Sequence, residues 1–383
     1  MMGRLLLLSI ALLAGCSSVS YNPLDWFGGK DTGPKMAELP ELRSAIPTSL
    51  LWQANVGAAG NAVFAPAVVA GSVYAAAQDG TVVRIEAGGR QLWRVNAGQL
   101  LSGGVGADGS LAVVGSPEGE VIALDAASGE PRWRARVSSE VLSAPALSGD
   151  LVIVRSADSR IFALDARDGK RRWVYQRSTP SLSVRTPVGV TVSRGFVFAG
   201  FSGGKLVALA MANGALRWEG TVALPKGATE LERVTDVVGL PYVSEREVCA
   251  VAYQGRVACF DLGSGNAVWT RNMSSTVGMD ADPRYVFVSD DKGSVHALDR
   301  SSGSSVWTQD RLARRDLTAP LALGRELAVG DVQGYVHFLA REDGSFIGRK
   351  ATDGSPIRAN PVRLDNGFVI QTRAGGLFAL AAN

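Results

Sequence analysis

Few residues in this chain of 383 are equipped for chemistry, since it holds only two histidines and three cysteines. An imidazole serves as general base or metal ligand only beside partners at suitable spacing. His296 and His337 instead fill one position of a repeated phrase, a position held elsewhere by Ile122, Phe162 and Val207, so both read as structural strand residues. Asp125, Asp165, Asp261 and Asp299 close strands just before turns. There a carboxylate accepts hydrogen bonds from turn amides, which explains these residues better than acid–base catalysis. No G-x-S-x-G, H-E-x-x-H or phosphate-binding glycine loop occurs. No catalytic residue, metal ligand or cofactor-binding residue is therefore assigned. Lys and Arg (39) nearly balance Asp and Glu (36) without a long basic run, so nucleic acid is not an expected partner.

The thiols carry the remaining chemistry. Arg4 and the apolar run 5–13 form an export signal too short to span a bilayer, which takes ~20 residues. The run ends in Leu13-Ala14-Gly15-Cys16, which resembles the bacterial lipobox, whose cysteine is diacylated and becomes the new N-terminus. Several acyl chains, each CH₂ adding ~0.8 kcal/mol, hold a protein firmly to a membrane. Ser17 follows where Asp would signal retention in the inner membrane, which implies the periplasmic face of the outer membrane. Residues 1–15 are thus expected as signal peptide, and 16–47, rich in Pro and Gly without sustained periodicity, as the lipidated cysteine and a flexible tether. The aromatic pair Trp26-Phe27 lies within it. Cys249 and Cys259 fall on consecutive strands of one hairpin. In an oxidising compartment they could pair, or stay as free buried thiols, depending on a register that Gln254-Gly255 leaves open.

The elements that position these residues repeat. GEVIALDAASGEPRW (119–133) returns at 159–173, 204–218, 255–269 and 293–307, more weakly at 80–93 and 334–347, and truncated at 375–383. Trp52, Trp93, Trp133, Trp173, Trp218, Trp269 and Trp307, then Ile347, mark a period near 40 with two longer gaps. A repeat of that length with four short strands means a propeller or array. Strands with apolar residues at consecutive positions fit sheets buried on both faces, and the repeated Trp fits a plug between neighbouring blades. The expected fold is all-β: an eight-bladed β-propeller of four-stranded antiparallel blades over 48–383. Residues 50–56 have no blade before them and the last repeat lacks its fourth strand, so this N-terminal strand is predicted to complete the last blade and remove the open edges.

The phrase A-L-D-x-x-(S/D)-G-x-x-x-W resembles the tryptophan-docking repeat of quinoprotein alcohol dehydrogenases, eight-bladed propellers that hold pyrroloquinoline quinone. Those enzymes are longer and carry a Ca²⁺ site, a catalytic Asp and often adjacent cysteines, which this chain does not show. With lipobox, tether and bare blades, the whole chain resembles the BamB family, propeller lipoproteins of the outer-membrane β-barrel assembly machinery. The most specific stretches are 182–187 (LSVRTP), 227–236 (GATELERVTD) and 330–337 (GDVQGYVH). The first two connect a fourth strand to the next blade's first strand, on successive blades and one face. Loops longer than closure needs, on a rigid scaffold, are where function sits. The resemblance implies a non-enzymatic scaffold without cofactor that binds the periplasmic domains of BamA within the Bam complex, with nascent outer-membrane proteins as further partners. It implies contacts at Leu182, Val184, Arg185 and Asp236; where the family often has Asp-x-Asp, this chain has Asp236-Val237-Val238. The alternatives are a quinone-dependent periplasmic dehydrogenase and a scaffold of another envelope complex.

Overall fold

The structure is a computed structural model that describes residues 35–42, 46–178, 180 and 182–382. The lipobox with Cys16, and the Trp26-Phe27 pair, lie outside the described residues. The compact unit runs Met36–Asn383.

Eight four-stranded antiparallel sheets are the blades. Blades one to seven span 67–96, 106–136, 146–176, 190–221, 237–272, 279–309 and 321–351, and 362–382 supplies three strands of the eighth. Its fourth strand is Thr48–Asn55, paired antiparallel with Gly376–Ala382 from Thr48↔Ala382 to Asn55↔Gly376. The predicted closure by an N-terminal strand is therefore present, and the edge of the last repeat is covered.

The burial patterns follow from this stacking. The second and third strands of blade three, Leu151–Arg155 and Arg160–Asp165, are buried at nearly every position, because both their faces meet other blades. The outer strand Arg171–Gln176 buries Trp173 and exposes its flanks. Each repeat Trp docks its indole on the following blade. Trp133 Nε1 donates to Ala166 O at 2.8 Å, and Trp52, Trp93, Trp173, Trp218, Trp269 and Trp307 do the same to Ala87, Ala126, Met211, Leu262, Arg300 and Arg341. Gly169, with φ +73°, sits in the turn under Trp133; a Cβ there would stand 2.6 Å from the indole. This one glycine satisfies a left-handed turn and a close approach together. The aspartates before these turns bind turn amides as expected: Asp125 Oδ1 accepts from Ala127 and Ser128, and Asp299 Oδ1 from Ser301 and Ser302.

The hairpin register settles the thiols. Cys249 stands directly opposite Cys259 on strands Glu247–Ala252 and Arg256–Asp261, and the two form a disulfide with Cα atoms 4.1 Å apart.

The N-terminal segment departs from expectation. Residues 36–42 and 46–47, expected within a tether, lie on the propeller. Ala37 N donates to Ala313 O (3.0 Å) and Ile46 N to Ile347 O (2.7 Å), while Arg315 and Arg349 donate to the carbonyls of Ala37 and Pro40. Prolines deny this segment a regular strand. Its backbone is held instead by arginines about 280–310 residues downstream, which no local pattern announces.

Candidate functional site

The candidate site is made by connections that converge on one face of blades three to five. The connection after Gln176 carries the stretch 182–188, tightened by backbone bonds from Thr186 N to Val184 O (3.0 Å) and Val188 N to Thr186 O (2.8 Å). Such three-residue turns fix an irregular path without a strand partner. Leu182 is 48% exposed, and Arg185 reaches from the surface to pair with Glu140 on the preceding connection. A surface pair of this kind contributes ~0–1 kcal/mol and is easily exchanged for another carboxylate.

Leu182 and Val184 do not present one apolar face, as a locally extended strand would. Val184 is half-buried and lines a cavity of ≈ 350 Å³, whereas Leu182 stands outside it. The cavity is also lined by Glu140, Arg155, Arg185, Thr186 and Asp236. Arg155 stacks over the Phe201 ring at 4.8 Å and donates to Gly200 O; burial lowers its pKa to about 10, against the pull of Asp236.

Asp236, expected as a surface contact, is 3% exposed. Its Oδ2 accepts the Val184 amide, its carbonyl accepts Tyr253 N at 2.8 Å, and its backbone bridges Ser202. Oδ1 has no hydrogen-bond partner among the described residues. Burial pushes the carboxyl above its ordinary pKa, opposed by the Val184 amide, the Ser202 hydroxyl, the Gly203 amide and Arg155. The burial has a physical reason: the end of the second connection, residues 234–236, is buried, and its last residue bonds the Val184 amide of the first.

That second connection, 222–236, shows what the sequence reading missed. Glu232 N donates to Thr229 Oγ1 (3.2 Å), while Glu232 Oε2 accepts the amides of Ala228 (2.8 Å) and Thr229 (3.1 Å). This is a capping box, and Thr229-Glu230-Leu231-Glu232 carries its sequence signature. It rigidifies one helical turn and leaves Leu231 73% exposed, with Leu224 also exposed. The 51-residue gap owes part of its excess to a bulge, 239–241, in the first strand of blade five, where three residues face one.

The third motif, 330–337, is buried structure. Arg315, 1% exposed, pairs with Asp331 at 2.7 Å, and Asp331 also meets His337 Nε2 at 2.9 Å. His296 meets Asp290 in the same way in blade six, also at 2.9 Å. Both histidines are thus strand residues bound to the aspartate of their own blade.

The comparisons bear on this geometry. Residues 78–309 match the family described as outer membrane protein assembly factor BamB. An outer membrane protein assembly factor BamB of Nitrosomonas eutropha is 44% identical, over 99% of this chain and 94% of the relative. The crystal structure of BamB from Moraxella catarrhalis superposes with a TM-score of 0.81 at 31% identity, covering 88% of this chain and 100% of that one. The quinohemoprotein alcohol dehydrogenase of Comamonas testosteroni reaches a TM-score of 0.67 at 14% identity, over 87% of this chain and 76% of that one, which shows a shared fold and no more. A match through the blades, the long connections and nearly full length on both sides makes this chain a member of the BamB family of outer membrane protein assembly factors.

Proposed function

We propose that this chain is a non-enzymatic scaffold of the Bam complex, anchored through diacylated Cys16 to the periplasmic face of the outer membrane. It docks the periplasmic domains of BamA and so supports the assembly of outer-membrane proteins. The observation that carries the docking face is the convergence of two connections on successive blades, with exposed Leu182 and Arg185 on one and exposed Leu224 and Leu231 on the other. Apolar anchors within a polar rim are what interfaces use, and the guanidinium of Arg185 suits a partner carboxylate. A rigid ring presenting bonded loops loses little entropy on binding.

The test is affinity for the soluble periplasmic fragment of BamA. If Arg185 meets a buried acid there, Arg185→Glu weakens binding about 30-fold or more, chiefly through the unpaired partner. Arg217→Ala, on the exposed outer strand of blade four, leaves it unchanged. Wild-type affinity for Arg185→Glu would place the docking face elsewhere. The anchor is tested by intact mass: acyl chains on the membrane-extracted protein, absent from Cys16→Ala. An unacylated wild-type N-terminus would refute it.

A further inference from the structure

We infer that Asp236 is a positioning residue: it sets the shape of the docking connection through the Val184 amide and does not itself meet the partner. This rests on the docking reading above and refines it. Asp236 is buried beneath the connection that carries Leu182 and Arg185, and its Oδ2 takes the Val184 N–H as a side-chain-to-backbone bond between positions 52 residues apart. Asp236 is itself fixed on both sides, by the Tyr253 amide on its carbonyl and by its bridge to Ser202. The latch therefore ties an irregular loop of blade three to the rigid sheets of blades four and five.

The geometry decides between two roles that one carboxylate could play. A charge that contacts a partner must be reachable, as Arg185 is. A latch needs an acceptor aimed at one amide, and charge is secondary. Val184 lies between Leu182 and Arg185, so releasing its amide frees both exposed contacts together. The same arrangement bears on the residue two further on. Val238 is buried at 1% exposure in the first strand of blade five, so an acid there would face the core and not a partner. Its replacement by valine takes nothing from the docking surface.

The substitutions separate the roles because asparagine keeps the acceptor and drops the charge. Asp236→Asn should bind the BamA periplasmic fragment within about threefold of the parent, and Asp236→Ala about tenfold or more weaker. Hydrogen exchange reads the latch directly: the Val184 amide should stay protected in the parent and in Asp236→Asn, and exchange fast in Asp236→Ala while the strand amides of blades four and five stay protected. In a double-mutant cycle, Arg185→Ala should cost less in the Asp236→Ala background than in the parent, because the loop is already displaced. If Asp236→Asn loses as much affinity as Asp236→Ala with Val184 still protected, the carboxylate is a charged contact and the proposal falls. It falls equally if the Val184 amide exchanges at the parent rate in Asp236→Ala. If Arg185→Glu binds like the parent, the docking reading fails, while the exchange measurement still decides the latch.

Discussion

Ring closure rests on one strand, and its removal has a calculable consequence. Thr48–Asn55 brings Trp52, 9% exposed, whose Nε1 donates to Ala87 O at 2.9 Å across the joint from blade eight to blade one. Truncating a buried Trp costs ~3–5 kcal/mol. Leaving the Ala87 carbonyl unpaired adds about 1–3 kcal/mol. A stability of ~5–15 kcal/mol survives this once, so Trp52→Ala should fold with a clearly lowered urea midpoint. Deleting 36–55 removes the whole strand as well and bares the edge of Gly376–Ala382, an apolar run. An unpaired apolar edge templates aggregation, so that product should aggregate. Deleting only 36–47 should give a smaller loss of about 1–3 kcal/mol, because Arg315 is left buried with a donor formerly satisfied by Ala37 O. Deleting 17–34 should leave the midpoint unchanged. The assay is urea unfolding followed by circular dichroism, with aggregation read by light scattering. A 56–383 fragment that stays monomeric at the wild-type midpoint would refute closure by this strand.

Two further outcomes follow from buried groups. Cys249 and Cys259 should resist alkylation in the protein purified from an oxidising compartment, and Cys249→Ala/Cys259→Ala should lose about 2–3 kcal/mol; quantitative alkylation of both thiols without reductant would contradict the disulfide. His337 is held below its ordinary pKa of 6.5 because burial penalises the imidazolium more than Asp331 favours it, and the charges of Arg349 and Arg315 push the same way as burial. A depressed pKa gives stability that is present above 6.5 and lost as pH falls through the folded value. Stability should therefore drop from pH 7 to 5, and His337→Gln, which keeps a donor toward Asp331, should flatten that slope; an equal slope in the variant would remove His337 from the account.

The fold was legible because the propeller writes its constraints locally. A turn glycine, an aspartate that binds the turn amides and a Trp that must reach the next blade recur at fixed offsets, so counting Trp positions counted blades. The missing fourth strand of the last repeat pointed to the N-terminus in the same arithmetic. The site was legible as far as loop length goes, since the connections 177–189 and 222–236 are longer than the other joints. Depth was not legible. Whether Asp236 lies on a loop or under one depends on how two connections cross, which is a contact over 52 residues with no periodic signature. The disulfide was undecidable for the same reason, because one residue of slip through Gln254-Gly255 would put Cys249 and Cys259 on opposite faces. The capping box around Leu231, by contrast, was written in the sequence as Thr-x-x-Glu and went unread because no long helix follows it.

The one repeat without a Trp also has a physical reason. Every docked indole lands on the turn between the third and fourth strands of the next blade, as Trp307 does on Arg341 O over Gly344. Blade eight has no such turn, since its third strand runs to Ala382 and its fourth comes from the other end of the chain. An indole at position 347 would therefore have no turn carbonyl to bind and no glycine to lie on. Ile347, partly buried, packs instead against the buried cluster that includes Phe338, Phe368 and Leu380. Pro40 and Ile46 reach this joint: Ile46 bonds Ile347, Arg349 holds Pro40, and Thr48 Cγ2 approaches Gly348 closely enough that a Cβ there would stand 3.2 Å away. Closing a ring with the N-terminus thus removes the docking turn from one joint and brings Ile46, just upstream of the closing strand, to bond the residue that stands in for the indole.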